Sequence, residues 1–166
     1  GSAAPGPLEE VDDGWLGLLA TTVRASFDAA QVAHPHLAAA GGSFLLLTSA
    51  AGMEGSANLP VYAMVKASQR ALAKSLSREW GPDGIRVNCI APGLVYTPMV
   101  EGRLDADQRE RRKNSSPLGT EGTAWAVGWA AVFFASDESR WVSGTVLPVD
   151  AGLTIAARHA YPEWGV

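Results

Sequence analysis

The chain has 166 residues, 47% of them apolar and 18% charged, with a formal net charge of −4. That is enough apolar material for one domain with a core, and it excludes the disordered class. With Arg111-Arg112-Lys113 as the only basic triplet, no nucleic-acid footprint is expected, and the longest apolar stretch, Trp125 to Ala135, is shorter than the roughly 20 residues that span a bilayer.

Gly1-Ser2 reads as a cloning scar, and residues 1–7 as a loose lead into a domain over 8–152, followed by a tail over 153–166. From Leu8 to about Ala40, apolar residues at Leu16, Leu19, Val23, Phe27 and Ala30 recur at helical spacing. The prediction is one long helix broken near His34-Pro35. Gly41-Gly42 is a turn signal. Phe44 to Leu47 is a short unbroken apolar run, as expected of a strand buried on both faces of a parallel sheet. Ala50 to Pro60 is rich in Gly and Ser and reads as a loop. Val61 to Trp80 is a second helix. Ala63, Ala67 and Ala71 form a small-residue stripe that another helix could approach closely, and Leu72 and Leu76 serve the core. Gly81-Pro82-Asp83-Gly84 stops that helix.

Ile85 to Ala91 is β-rich and predicts a second strand, ended by Pro92-Gly93. Pro98 to Ser116 is polar and reads as a surface helix-loop, a candidate flap. Thr120 to Ala135 is a third helix, Asp137 to Ser143 a loop, and Gly144 to Val149 a third strand. Strands alternating with helices predict an α/β fold with a parallel sheet of about three strands and flanking helices. The single Cys89 excludes an internal disulfide, reads as buried apolar filler and fits a reducing cytoplasm. Trp125 and Trp129 read as core or interface. His34, His36 and His159 have no partners at metal-ligand spacing, so no metal is expected.

The chemistry-bearing group is Ser49, Tyr62 and Lys66. Tyr62 and Lys66 stand at i, i+4 on one helix face. A phenol ordinarily titrates near pH 10, too high for acid–base work at neutrality. A neighbouring ammonium favours the phenolate and brings proton exchange toward the working range. Ser49 sits at a strand's C-terminal end, where open α/β sheets place ligands, and can hydrogen-bond a carbonyl or alkoxide.

Four ordered pieces carry a resemblance: Ser49 with Tyr62-x-x-x-Lys66; Ile85 to Gly93; Val95-Tyr96-Thr97-Pro98-Met99; and Ser143-Gly144-Thr145 with Val149-Asp150-Ala151-Gly152. Together they resemble the short-chain dehydrogenases/reductases, in the later half of a member. The resemblance implies a truncated Rossmann-like sheet and NAD(P)-dependent hydride transfer on a small carbonyl or alcohol, with Ser49, Tyr62 and Lys66 catalytic. It implies cofactor contacts from Lys66, Pro92, Gly93, Val95 and Thr97. It also implies a homodimer or homotetramer built on the long helices.

Two departures qualify it. The family's glycine-rich pyrophosphate turn is not found among the 48 residues before Ser49, and the chain contains no G-x-G triplet. Counting seven residues from Trp15 places Thr22 where the family carries an active-site Asn. Three readings therefore stand. One is an oxidoreductase, or the catalytic half of one, with a partner chain supplying the dinucleotide half. The second is a redox-inactive enzyme using the same side chains for dehydration, isomerisation or cyclisation, with no nucleotide bound. The third is a non-catalytic subunit.

Overall fold

The computed structural model describes residues 7–98 and 100–156. His159 and Met99, named above, lie outside the described residues. A short 3-10 turn, Leu8–Glu10, precedes a helical rod in three segments. These are α1 (Trp15–Leu19), a wide π-type turn (Ala20–Arg24) and α2 (Ala25–Ala40). The predicted break at Pro35 is therefore wrong: the helix runs through it. Proline removes the hydrogen bond to the carbonyl four residues back, here Gln31. Both Pro35 and Gln31 are exposed, where a carbonyl freed from its helical bond costs little, and the helix ends at Ala40. The irregularity falls instead at Ala20–Arg24. Gly41 closes the rod at φ 68, a left-handed conformation that glycine adopts without steric cost.

β1 (Gly42–Leu47), β2 (Ile85–Pro92) and β3 (Val146–Val149) form one parallel sheet in the order β1-β2-β3. The third strand is shorter than expected. Between β1 and β2 lie α3 (Ala51–Glu54) and α4 (Pro60–Trp80). The segment predicted as a loop thus contains one helical turn. Its start is favoured locally, because the Ser49 hydroxyl accepts from the Ala51 N–H at 3.2 Å. α5 (Ala106–Lys113) and α6 (Ala124–Ala135) separate β2 from β3. α5 carries a capping box from Asp105 and Gln108. No described helix is long and apolar enough to cross a membrane.

Alternation along β2 assigns the two faces of the sheet. Ile85, Val87 and Cys89 point to one side, where they join Ala30 of α2, Ala73, Leu76 and Trp80 of α4, and Leu46. Arg86 and Asn88 point to the other. The Arg86 guanidinium donates to the carbonyls of Phe134 (2.9 Å) and Ser136 (3.3 Å), tying down the C-terminus of α6. Asn88, fully buried, donates to the Val142 carbonyl and accepts from the Thr145 N–H. β1 is not buried on both faces as its composition suggests. Leu47 is half exposed, because the α6 side of this strand end carries no cover among the described residues.

Within the chain, the alanine stripe on α4 is approached closely by one short helix. Ala63 is buried, but Ala71 is exposed, and the close approach is made by α3. A Cβ on Gly52 would lie 2.8 Å from Lys66 backbone and 3.0 Å from the Ala67 nitrogen, so only glycine admits this contact. Trp125 and Trp129 are not core residues: they are 77% and 68% exposed on α6.

Candidate active site

The ends of β1 and β2 and the start of α4 meet at one mouth. Beyond β1 the ladder continues through Thr48, whose N–H donates to the Ile90 carbonyl, and Ala50, whose N–H donates to Pro92. Ser49 lies between them, fixed by both flanking residues. α4 begins with Pro60 at its first position, where a missing N–H costs nothing. Two residues later Tyr62 faces the same mouth, backed by a small apolar cluster of Leu18, Val61 and Val65 with Trp15 and Val23.

Ser49, Tyr62, Pro92 and Gly93 line one cleft of about 1140 Å³. Leu59, Leu94 and Leu153 add apolar wall, and Val100, Arg112 and Ser115 border it. The segment read as a flap does therefore flank the site. Val95 lines a neighbouring cavity of about 610 Å³ and bridges to Gly122. Thr97 is not among the residues lining either; its carbonyl accepts from Val100 and Glu101 N–H groups in a turn. The Gly93 position has a packing reason of its own, since a Cβ there would lie 2.6 Å from that of Asp150.

Lys66 sits one turn below Tyr62, its ammonium nitrogen 5.9 Å from the ring centroid. It donates to the Leu47 carbonyl at 2.9 Å and to Gln69 Oε1 at 3.2 Å. In return, the Thr48 hydroxyl donates to the Lys66 carbonyl at 2.6 Å. Strand end and helix are thus locked reciprocally at the residue that carries the charge. Burial holds the Lys66 ammonium below its ordinary value near 10.5, because desolvation penalises the charged form. Burial likewise pushes the Cys89 thiol up to about 11, consistent with an inert filler.

Ser49 uses its oxygen to accept from Ala51, which leaves its O–H free to donate to a ligand oxygen. A donor hydroxyl and a phenol thus open onto one cleft, with an ammonium beneath the phenol. Among the described residues no group of three or more His, Cys, Asp or Glu side chains could hold a metal. His34 instead pairs with Asp83 at 3.0 Å and packs at a tilt against Trp80. In the basic segment of α5, Arg109 lies over the Tyr96 ring and donates to Glu121 at 2.7 Å.

A family model described as enoyl-(acyl carrier protein) reductase matches residues 1–154. The chain is 36% identical over 143 residues to the 3-oxoacyl-(acyl-carrier-protein) reductase FabG of Chlamydia muridarum, covering 86% of this chain and 57% of that protein. It belongs to the short-chain dehydrogenase/reductase family. A tropinone reductase homologue of Arabidopsis thaliana is 34% identical over 140 residues, covering 83% of this chain and 53% of that protein. Among solved structures, a gluconate 5-dehydrogenase of Burkholderia cenocepacia, crystallised with NADP and tartrate, superposes with a TM-score of 0.86 at 29% identity. That match covers 92% of this chain and 61% of the other. An oxidoreductase of the same family from Burkholderia thailandensis gives a TM-score of 0.88 at 32% identity. The chain thus spans a little over half the length of the curated relatives it matches.

Sequence reasoning missed three residues at the site: Thr48, Gln69 and Ser26. Gln69 was findable. It occupies the α4 row Val65, Gln69, Ala73, Leu76, Trp80, whose other members are all buried and apolar. A glutamine in such a row has to be hydrogen-bonded, and something must receive it.

Proposed function

We propose that this chain carries the proton-handling half of an NAD(P)-dependent oxidoreductase acting on a small carbonyl or alcohol. The observation supporting this reading is the opening of Ser49 and Tyr62 onto one cleft, with the Lys66 ammonium held beneath Tyr62. In the reducing direction, the Ser49 O–H donates to the substrate carbonyl oxygen and holds it at Tyr62. That oxygen takes the phenolic proton as the carbonyl carbon gains a hydride and the C=O double bond becomes a single bond. The Lys66 charge stabilises the phenolate that remains. NAD(P), when bound, supplies the hydride, or accepts it in the reverse direction.

The donor set suits the nicotinamide end of such a cofactor. An ammonium has three N–H donors, and two are taken by Leu47 and Gln69, which leaves one for a ribose hydroxyl or the phenolate. Pro92 and Gly93, at the cleft, would contribute beside it. Val95 and Thr97 are further candidates by family resemblance. No glycine-rich turn is available in this sequence for the pyrophosphate, so a partner chain or further sequence is the source we infer for that end. The exposed apolar helix faces support a homodimer or homotetramer.

Titration of the purified chain, with the dinucleotide half supplied alongside it, with NADH and NADPH, read by nucleotide fluorescence, tests this. The expected result is saturable binding that Lys66→Ala abolishes. Absence of binding by the wild-type chain with that half present would overturn the nicotinamide reading. If a carbonyl compound were still turned over in a Tyr62-dependent way, the chemistry would be acid–base without hydride transfer.

A further inference from the structure

Behind Lys66 runs a continuous chain of hydrogen bonds that crosses from α4 to the rod of α1 and α2. The ammonium donates to Gln69 Oε1 at 3.2 Å. The Gln69 amide nitrogen donates to the Ser26 hydroxyl at 2.9 Å. Ser26 in turn donates to the Thr22 carbonyl at 2.6 Å, within the wide turn of the rod. Gln69 is 7% exposed and Ser26 9% exposed, so no bulk water competes for these groups. Burying an amide costs free energy unless both its ends are satisfied, and both are.

We propose that Gln69, braced by Ser26 and the Thr22 carbonyl, is a positioning residue that fixes the Lys66 ammonium beneath Tyr62. The inference rests on reading Tyr62 and Lys66 as the proton-handling pair, and it deepens that reading. A lysine side chain has four flexible torsions and no preferred direction. The Leu47 carbonyl alone would hold it at one point and leave it free to pivot. The second acceptor, itself pinned from behind, removes that freedom. An unbraced glutamine could rotate and present its NH2 to the ammonium. The Ser26 oxygen prevents this by accepting from the amide nitrogen, which keeps the amide oxygen toward the lysine.

Few other charges compete for this control. On its own helix Lys66 has Tyr62 above it. Arg70, one turn below, turns to the Gly52 carbonyl at 2.6 Å. Across from it, β1 presents the neutral Leu47 carbonyl. On the rod, Arg24 and Asp28 pair with each other at the surface.

The chain has three lysines, Lys66, Lys74 and Lys113, so 13C-lysine labelling resolves them, and Lys66→Met assigns the signal. The titration of Lys66 is followed by NMR in the wild type, Gln69→Leu, Gln69→Glu and Ser26→Ala, with folding checked by circular dichroism. Gln69→Leu keeps the burial and removes the acceptor; it should lower the Lys66 midpoint by about one pH unit. Gln69→Glu should raise it by a similar amount. Ser26→Ala should lower it less, and Lys74 and Lys113 should not move. If Gln69→Leu fails to fold, the opposite shifts in the other two variants still decide. A Lys66 midpoint unchanged in every folded variant would overturn the proposal, whatever happens to stability. Because the readout needs no turnover, absent nucleotide binding with shifted Lys66 titration would overturn the functional reading and leave the positioning role standing.

Discussion

At the residue scale the site separates chemistry from stability. Tyr62 is half-buried against Leu18, Val61 and Val65, and its hydroxyl makes no hydrogen bond to another of the described residues. Tyr62→Phe should therefore leave the thermal midpoint almost unchanged. It should cost about 10²–10⁴-fold in carbonyl reduction, the usual contribution of a positioned acid–base group, when assayed with the dinucleotide half supplied. Lys66 behaves differently, because its charge is desolvated. Its folded pKa lies below its unfolded value, so in the window between them the unfolded chain binds more protons. Stability therefore rises with pH across that window, as the buried ammonium is neutralised. Compared with Lys66→Met, the wild type should gain in thermal midpoint as pH climbs from the lowered folded value toward 10.5. A difference that is flat or falls across that range would contradict the burial of the charge. The motif residues of the site were legible because they are few and chemically distinctive. Thr48 was not, since its role is a hydroxyl bond to a backbone carbonyl eighteen residues away.

At the scale of elements, two contacts hold the site's geometry, and both are exposed to small changes. α3 rests on α4 only because Gly52 lacks a side chain. Gly52→Ala places a methyl within 2.8 Å of backbone and must push the two helices apart. The expected cost is about 1–3 kcal/mol in denaturant unfolding. Ser49, three positions earlier, should shift with it and take activity down even in the folded population. Asn88 plays the equivalent part beneath the β2–β3 junction. Its amide bridges the Val142 carbonyl and the Thr145 N–H, which brings Ser143 and Gly144 against Val87. Asn88→Ala strands two partly buried backbone groups and should cost about 1–3 kcal/mol, measured by the same unfolding curve. The strands, α4 and the Gly41 and Gly81–Gly84 stops were readable because local pattern and packing agree. The continuity through Pro35 was not, because it depends on which side of the rod faces water. The helical turn at α3 was also hidden, since it rests on a serine bond and on packing under Gly52 rather than on any periodicity.

At the scale of the whole molecule, the two sides of the sheet are finished unequally. The α2–α4 side forms a closed core around Ala73, Leu76 and Trp80. The α6 side buries Phe134 but leaves Trp125, Trp129, Val132 and Phe133 exposed, four apolar residues at helical spacing on one face. Leu47 on the same side of β1 is half exposed as well. Contiguous apolar surface of this kind marks an interface, and the two tryptophans are suited to anchor one. The sequence pattern could not tell core from interface here, because α6 is apolar all round and both roles ask for the same residues. A second copy of this chain seated on α6 is the occupant we expect. Light scattering should find a dimer or larger species at micromolar concentration. Trp125→Lys combined with Trp129→Lys should shift it to smaller species with the far-ultraviolet dichroism unchanged, since neither ring contributes to the core. A monomeric wild type would refute self-association through this helix. A wild-type assembly that the double substitution leaves intact would move the contact to the exposed face of α2, where Phe27 and Val32 lie open.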